Sequence, residues 1–162
     1  MADKSANHVQ EPLPQRLLIP LQKLDEDAVV PHGAYEGDAG VDLCALEDCE
    51  LPPFQRKLVP TGLAVAIPRG FAGFVLPRSG TAIRQGLSLA NTPGLVDSNY
   101  RGELKIAAIN LDPNETIRIR KGDRIAQLVI MAVAQPAFDV RTTLDQTERG
   151  AGGFGSSGVA SE

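Results

Sequence analysis

Residues 57–76 read K-L-V-P-T-G-L-A-V-A-I-P-R-G-F-A-G-F-V-L, two apolar runs cut apart by Pro68-Arg69-Gly70. Neither run has the length or the 3.6-residue periodicity of a surface helix. Proline and glycine punctuate both, and Val59, Val65, Ile67 and Val75 prefer extended backbone. Within the first run, Gly62 to Ile67 alternates large and small apolar side chains. Outward from this stretch the same texture recurs in Leu17 to Leu21, Gly40 to Leu46, Glu103 to Leu111, Thr116 to Ile119 and Arg124 to Val133. Thr116 to Arg120 alternates Ile with Arg, as a half-buried strand does. Arg124 to Val133 is nearly continuous. Its Val and Ile content, the Lys121-Gly122-Asp123 turn before it and Pro136 after it favour a strand over a buried helix. Short strands at this spacing predict an all-β chain, a sandwich or barrel, and the sixteen glycines and twelve prolines supply its turns. One helix of about two turns is expected from Ser79, read as its N-cap, to the glycine at 86.

A chain of 162 residues with 43% hydrophobic content suits a single domain. The formal net charge of −4 provides no field for a nucleic-acid backbone, so no nucleic-acid partner is expected. Residues 1–16 hold no apolar run of signal-peptide length, and no segment reads as a membrane span. The expectation is a cytoplasmic protein with a disordered extension over residues 1–16, a β domain over 17–140 and a C-terminal arm over 141–162. Cys44 and Cys49 fit neither a C-x-x-C redox pair nor a zinc site and read as reduced packing residues. His8 and His32 are the only histidines, and both lie in expected loop, away from the stretch richest in functional groups.

That stretch is Asn91 to Lys105, N-T-P-G-L-V-D-S-N-Y-R-G-E-L-K, lying between apolar runs. Pro93-Gly94 is expected to set a turn and leave backbone groups free to face a small flat ligand. Asp97 and Tyr100 stand close enough on one arm to touch the same bound molecule, although Asp97-Ser98-Asn99 also reads as a plain surface turn. Arg78 and Ser79, leading into the short helix, form a small phosphate site or an ordinary capped helix end. No P-loop lysine motif accompanies them. Asp38 and Asp42 would share one face of an extended strand and could steer hydrated Mg²⁺, or Asp38 could cap a turn. Lys121 to Arg124 reads as a hairpin turn, and the Gln127 amide needs a partner if buried. The glycine-rich tail after Arg149 reads as flexible, yet it places a cation, the Phe154 ring and the Ser156 and Ser157 hydroxyls close together.

Five motifs stand in order: Asp38 to Leu43, Pro77-Arg78-Ser79-Gly80, Gly94 to Gly102, Gly122 to Leu128, and Arg149 to Gly158. Together they resemble the trimeric deoxyuridine triphosphate pyrophosphatase (dUTPase) family over about residues 17 to 158. The resemblance implies a jelly-roll β-barrel, a homotrimer with sites shared between chains, and hydrolysis of dUTP to dUMP and pyrophosphate. That activity limits uracil entry into DNA and supplies dUMP for thymidylate synthesis. It further implies that Asn91 and the backbone of Gly94, Leu95 and Val96 read the uracil edge, with Tyr100 excluding a ribose 2′-hydroxyl and Asp97 activating water. Arg78, Ser79, Gly80, Gln127 and Lys105 would hold the phosphates, and Asp42 would reach a Mg²⁺ cofactor through water. Arg149, Phe154, Gly155, Ser156 and Ser157 would close as a lid. The departures from the family pattern, Thr81, Leu95 and the N-terminal extension, remove no group that this chemistry needs. Two rival readings are a dCTP deaminase, which wants a glutamate beside the base and has only Glu103 nearby, and a dUTP-binding sensor without catalysis.

Overall fold

A computed structural model describes residues 17–153 of the chain. In chain order the elements are β1 (Leu21–Lys23), β2 (Gly40–Cys44), β3 (Cys49–Leu51), β4 (Arg56–Pro60), β5 (Leu63–Val65) and β6 (Phe71–Leu76). They continue with α1 (Ser79–Gln85), β7 (Leu87–Leu89), β8 (Gly94–Val96), β9 (Lys105–Asn110), β10 (Ile117–Ile119) and β11 (Arg124–Ala132). The fold is mostly β with one short helix, as the punctuated apolar runs require. Every strand pair is antiparallel.

One sheet has the order β2-β11-β6-β8 and a second the order β4-β9-β7, with two-stranded pairs β1-β5 and β10-β3 beside them. Strand β11, the long apolar run, lies between β2 and β6 and so meets a partner on both edges. Between the layers Leu43, Leu51, Val59, Leu63 and Ile106 are at most 1% exposed. Burial alternates along β9 and β10, so Ile117 and Ile119 face the core while Arg118 reaches Glu50 at 3.1 Å on the outside.

Several local expectations change. The run from Lys57 to Ile67 is two strands, because Thr61-Gly62 turns the chain with Gly62 at φ 68. Ser79 does not cap α1. Arg78 is the N-cap and makes no side-chain cap bond; the Thr81 hydroxyl donates to its carbonyl instead. Lys121 to Arg124 does form a turn, with Gly122 at φ 85, but β10 and β11 pair with other strands, so it joins two sheets and closes no hairpin. Cys44 and Cys49 are buried free thiols, and burial raises the pKa of each. No described helix is long and apolar enough to cross a membrane. Residues 1–16 and the tail from Phe154 onward lie outside the described residues.

Candidate active site

Strands β7 and β9 pair antiparallel, and the stretch from Asn91 to the start of β9 is the long loop between them. Three of its residues form β8, which crosses to the other sheet and pairs Gly94 with Val75 and Val96 with Gly73. The loop therefore bridges both layers, and a cavity of about 470 Å³ opens beneath it. Leu58, Val75, Leu89, Leu104 and Ala107 give that cavity an apolar floor. Asn91, the backbone of Gly94 to Val96, Asp97, Tyr100 and Lys105 give it a polar rim. Seven residues singled out in the sequence thus meet around one space of the size that a small ligand fills.

Two features of β8 suit it to reading a ligand. It is the last strand of its sheet, so the backbone groups on its outer edge have no strand partner. Gly94 lies within the strand and not at a positive φ, which corrects the expected turn; the turn comes earlier and contains a cis Thr92-Pro93 peptide. Glycine is needed here for closeness. A Cβ at Gly94 would stand 3.3 Å from Asn91 Nδ2 and 3.4 Å from Val75 Cβ. Asp97 also closes a turn, its carbonyl accepting from the Tyr100 N–H at 3.1 Å, while its carboxylate stays exposed on the cavity rim. The Tyr100 ring folds back over Gly102, and its hydroxyl donates to the Glu103 carbonyl at 3.0 Å.

The expected phosphate-binding residues gather elsewhere in the single chain. Arg78 follows β6 and donates from Nε to Asp42 Oδ1 at 2.7 Å, while Arg124 Nη1 reaches Asp42 Oδ2 at 3.2 Å. One carboxylate between two guanidiniums leaves an excess of positive charge. Asp38 does not join it; its carboxylate accepts from the Tyr35 N–H at 2.8 Å and caps a turn before β2. Gln127 finds the partner its burial demands, donating from Nε2 to the Pro77 carbonyl at 3.0 Å and so bracing the corner that carries Arg78. Arg84, which the sequence did not single out, lies against Gly80, where a Cβ would stand 3.0 Å from Nη2. Arg149 donates to the Gly152 carbonyl at 2.9 Å in a local turn, and Phe154, Gly155, Ser156 and Ser157 lie outside the described residues.

A family model described as dUTPase matches residues 26–158, the span that carries both clusters. The chain belongs to the dUTPase family. Members are hydrolases that convert dUTP to dUMP. The chain is 55% identical over 142 residues to the deoxyuridine 5′-triphosphate nucleotidohydrolase of Rhodococcus erythropolis, covering 88% of this chain and 87% of that one. It is likewise 55% identical over 140 residues to the enzyme of the same name from Nocardia farcinica, covering 86% and 85%. Among solved structures, the dUTPase of Staphylococcus bacteriophage 80alpha with dUPNHPP superimposes with a TM-score of 0.82 at 31% identity, covering 88% of this chain and 99% of that one. The dUTPase of phage phi11 of S. aureus, described with a structural Mg(II) ion, aligns with a TM-score of 0.73 at 26% identity, covering 78% and 98%.

In this dUTPase the one glutamate on the cavity wall is already engaged. Glu103 accepts from the Gly62 N–H at 2.9 Å and pairs with Lys105 at 3.3 Å. A deaminase needs that carboxylate at the base, so its commitment to Gly62 and Lys105 agrees with hydrolysis over the deaminase reading.

Proposed function

We propose that the cavity beneath the β7–β9 loop binds the deoxyuridine half of dUTP and that Asp97 activates the water that cleaves it. The observation that carries this reading is the convergence of the unpaired edge of β8, the Tyr100 ring and the Asp97 carboxylate on one cavity. Asn91 and the outer amides and carbonyls of β8 match the O2, N3–H and O4 pattern of uracil and leave the cytosine amine without an acceptor. Tyr100 packs under the sugar. Asp97 takes a proton from water as its oxygen attacks the α-phosphorus in line, and the bond to the bridging oxygen breaks to release pyrophosphate.

Arg78, Ser79, Gly80 and Gln127, with Lys105, hold the phosphate chain. Because the Arg78 cluster does not line the cavity that Asp97 lines in one chain, the complete site is assembled across subunits of a homotrimer. Among the described residues no three acidic, histidine or cysteine side chains group as metal ligands, and both Asp42 oxygens accept from arginine. This donor set fits a Mg²⁺ borne by the triphosphate and touched by Asp42 through water, where it lowers charge repulsion and stabilises the leaving pyrophosphate. Residues 141–162 form an arm whose Arg149, Phe154, Gly155, Ser156 and Ser157 close over the bound nucleotide, and residues 1–16 stand as a separate extension. Two buried free thiols agree with a reducing, cytoplasmic setting.

The test is pyrophosphate release with Mg²⁺ from dUTP, dCTP, dTTP and UTP in parallel. Release from dUTP alone is the expected result. Equal release from dCTP or UTP would remove the assigned roles of β8 and Tyr100.

A further inference from the structure

The downstream foot of the active-site loop is fastened to a turn some forty residues earlier in the chain. Leu104 donates its N–H to the Leu63 carbonyl at 2.7 Å, and the Thr61 hydroxyl donates to the Leu104 carbonyl at 2.6 Å. Glu103 adds a side-chain bond, with Oε1 accepting from the Gly62 N–H at 2.9 Å and Oε2 standing 3.3 Å from Lys105 Nζ. The turn that receives these bonds is rigid. Thr61 is 1% exposed, and Gly62 sits at φ 68 where a Cβ would lie 2.9 Å from the Ala28 side chain.

The other end of the same short segment holds the sugar-facing ring. The Tyr100 hydroxyl donates to the Glu103 main-chain carbonyl at 3.0 Å, and the ring lies so close over Gly102 that a Cβ there would be 2.6 Å from Cζ. The ring is thus referenced to the backbone of Glu103. That backbone is in turn referenced to Gly62 through the Glu103 carboxylate, whose side chain is 20% exposed. A carboxylate accepting from a backbone N–H gives a stronger bond than a neutral acceptor, and Lys105 offsets its charge. Glu103 therefore connects a fixed turn of the β layer to the group that meets the sugar.

We propose that Glu103 is a positioning residue for sugar discrimination. By pinning the loop to Gly62 it holds Tyr100 where a ribose 2′-hydroxyl cannot fit. This rests on reading the cavity as the dUTP site. Steric exclusion depends steeply on position, so a ring free to move by a fraction of an ångström admits the larger sugar. Loss of the pin should relax the preference for dUTP over UTP more than it slows dUTP turnover.

The experiment compares kcat/KM for dUTP and UTP in the wild-type chain, Glu103→Ala and Glu103→Gln, with thermal melting of each. Glutamine keeps an oxygen for the Gly62 N–H and gives up only the charge shared with Lys105. Glu103→Ala should lower the dUTP-to-UTP ratio by about tenfold or more, and Glu103→Gln should restore most of it. A ratio unchanged in Glu103→Ala, whether or not both rates fall together, overturns the proposal and leaves Glu103 a merely structural residue. Equal loss of discrimination in Glu103→Gln overturns it too, because charge and not the Gly62 bond would then be responsible. If Glu103→Ala does not fold, Glu103→Asp takes its place under the same criterion, since it keeps the charge but falls one methylene short of Gly62. Failure of the wild-type chain to hydrolyse dUTP would instead strike the underlying functional reading.

Discussion

Gly102 shows how the site depends on the absence of single atoms. Its backbone is not in the left-handed region, so alanine costs little in conformation, but a Cβ would press on the Tyr100 ring at 2.6 Å from Cζ. Gly102→Ala should therefore lower kcat/KM for dUTP by about tenfold or more while the melting temperature changes by only a few degrees. Steady-state kinetics beside a thermal melt checks this, and an unchanged kcat/KM would show that the ring has room to move. At this scale much of the site was legible in the sequence, because Asn91, Asp97, Tyr100 and Lys105 are contiguous in the chain as well as in space. The pairing of Asp42 with Arg78 and Arg124 was not, since it depends on β11 lying between β2 and β6, which local sequence does not state.

Among the elements, the long runs declared themselves and the three-residue strands did not. Strands β6, β9 and β11 carry enough β-branched or alternating residues to reveal a period, whereas β3, β7 and β8 span less than two repeats of the strand pattern. Their positions are set by tertiary partners. One such partner is Asn110, fully buried at the end of β9, whose Nδ2 donates to the Leu51 and Glu115 carbonyls at 2.8 Å and whose Oδ1 accepts from the Asp112 N–H at 2.8 Å. Asn110→Ala strands these backbone groups and should destabilise the fold by about 2–4 kcal/mol, read as a lower denaturant midpoint. The adjoining turn is pH-sensitive. Backbone N–H groups of Glu115 and Asn114 donate to the Asp112 carboxylate and lower its pKa below the usual value of 3.8. A depressed folded pKa contributes stability above the unfolded value, and that stability is lost as pH falls through the folded one. Wild-type melting temperature should thus drop on acidification below about pH 4 more than that of Asp112→Asn, which has no carboxylate to protonate there. Parallel slopes for the two proteins would contradict this.

For the whole molecule, the separation of two clusters within one subunit is the main consequence of the architecture. The loop with Asp97 rises between the two sheets, while Arg78 leaves the far end of β6 beside β2 and β11. If sites are shared, Asp97→Asn and Arg78→Ala chains are each inactive alone. Dissociated together and reassembled in equal amounts, they should regain about a quarter of wild-type activity, the fraction of sites that draw one intact group from each chain. No recovery in mixed assemblies, with light scattering confirming their size, would place both groups in one subunit.

The most direct test of the central claim is pyrophosphate release from dUTP with Mg²⁺ by the Asp97→Asn protein, with dUTP binding measured on the same sample. The variant should bind dUTP within a few-fold of the wild type and turn it over about a hundredfold more slowly or worse, as expected on losing a general base and keeping the pocket. Turnover near the wild-type rate would show that the Asp97 carboxylate activates no water and serves only to close the turn to Tyr100.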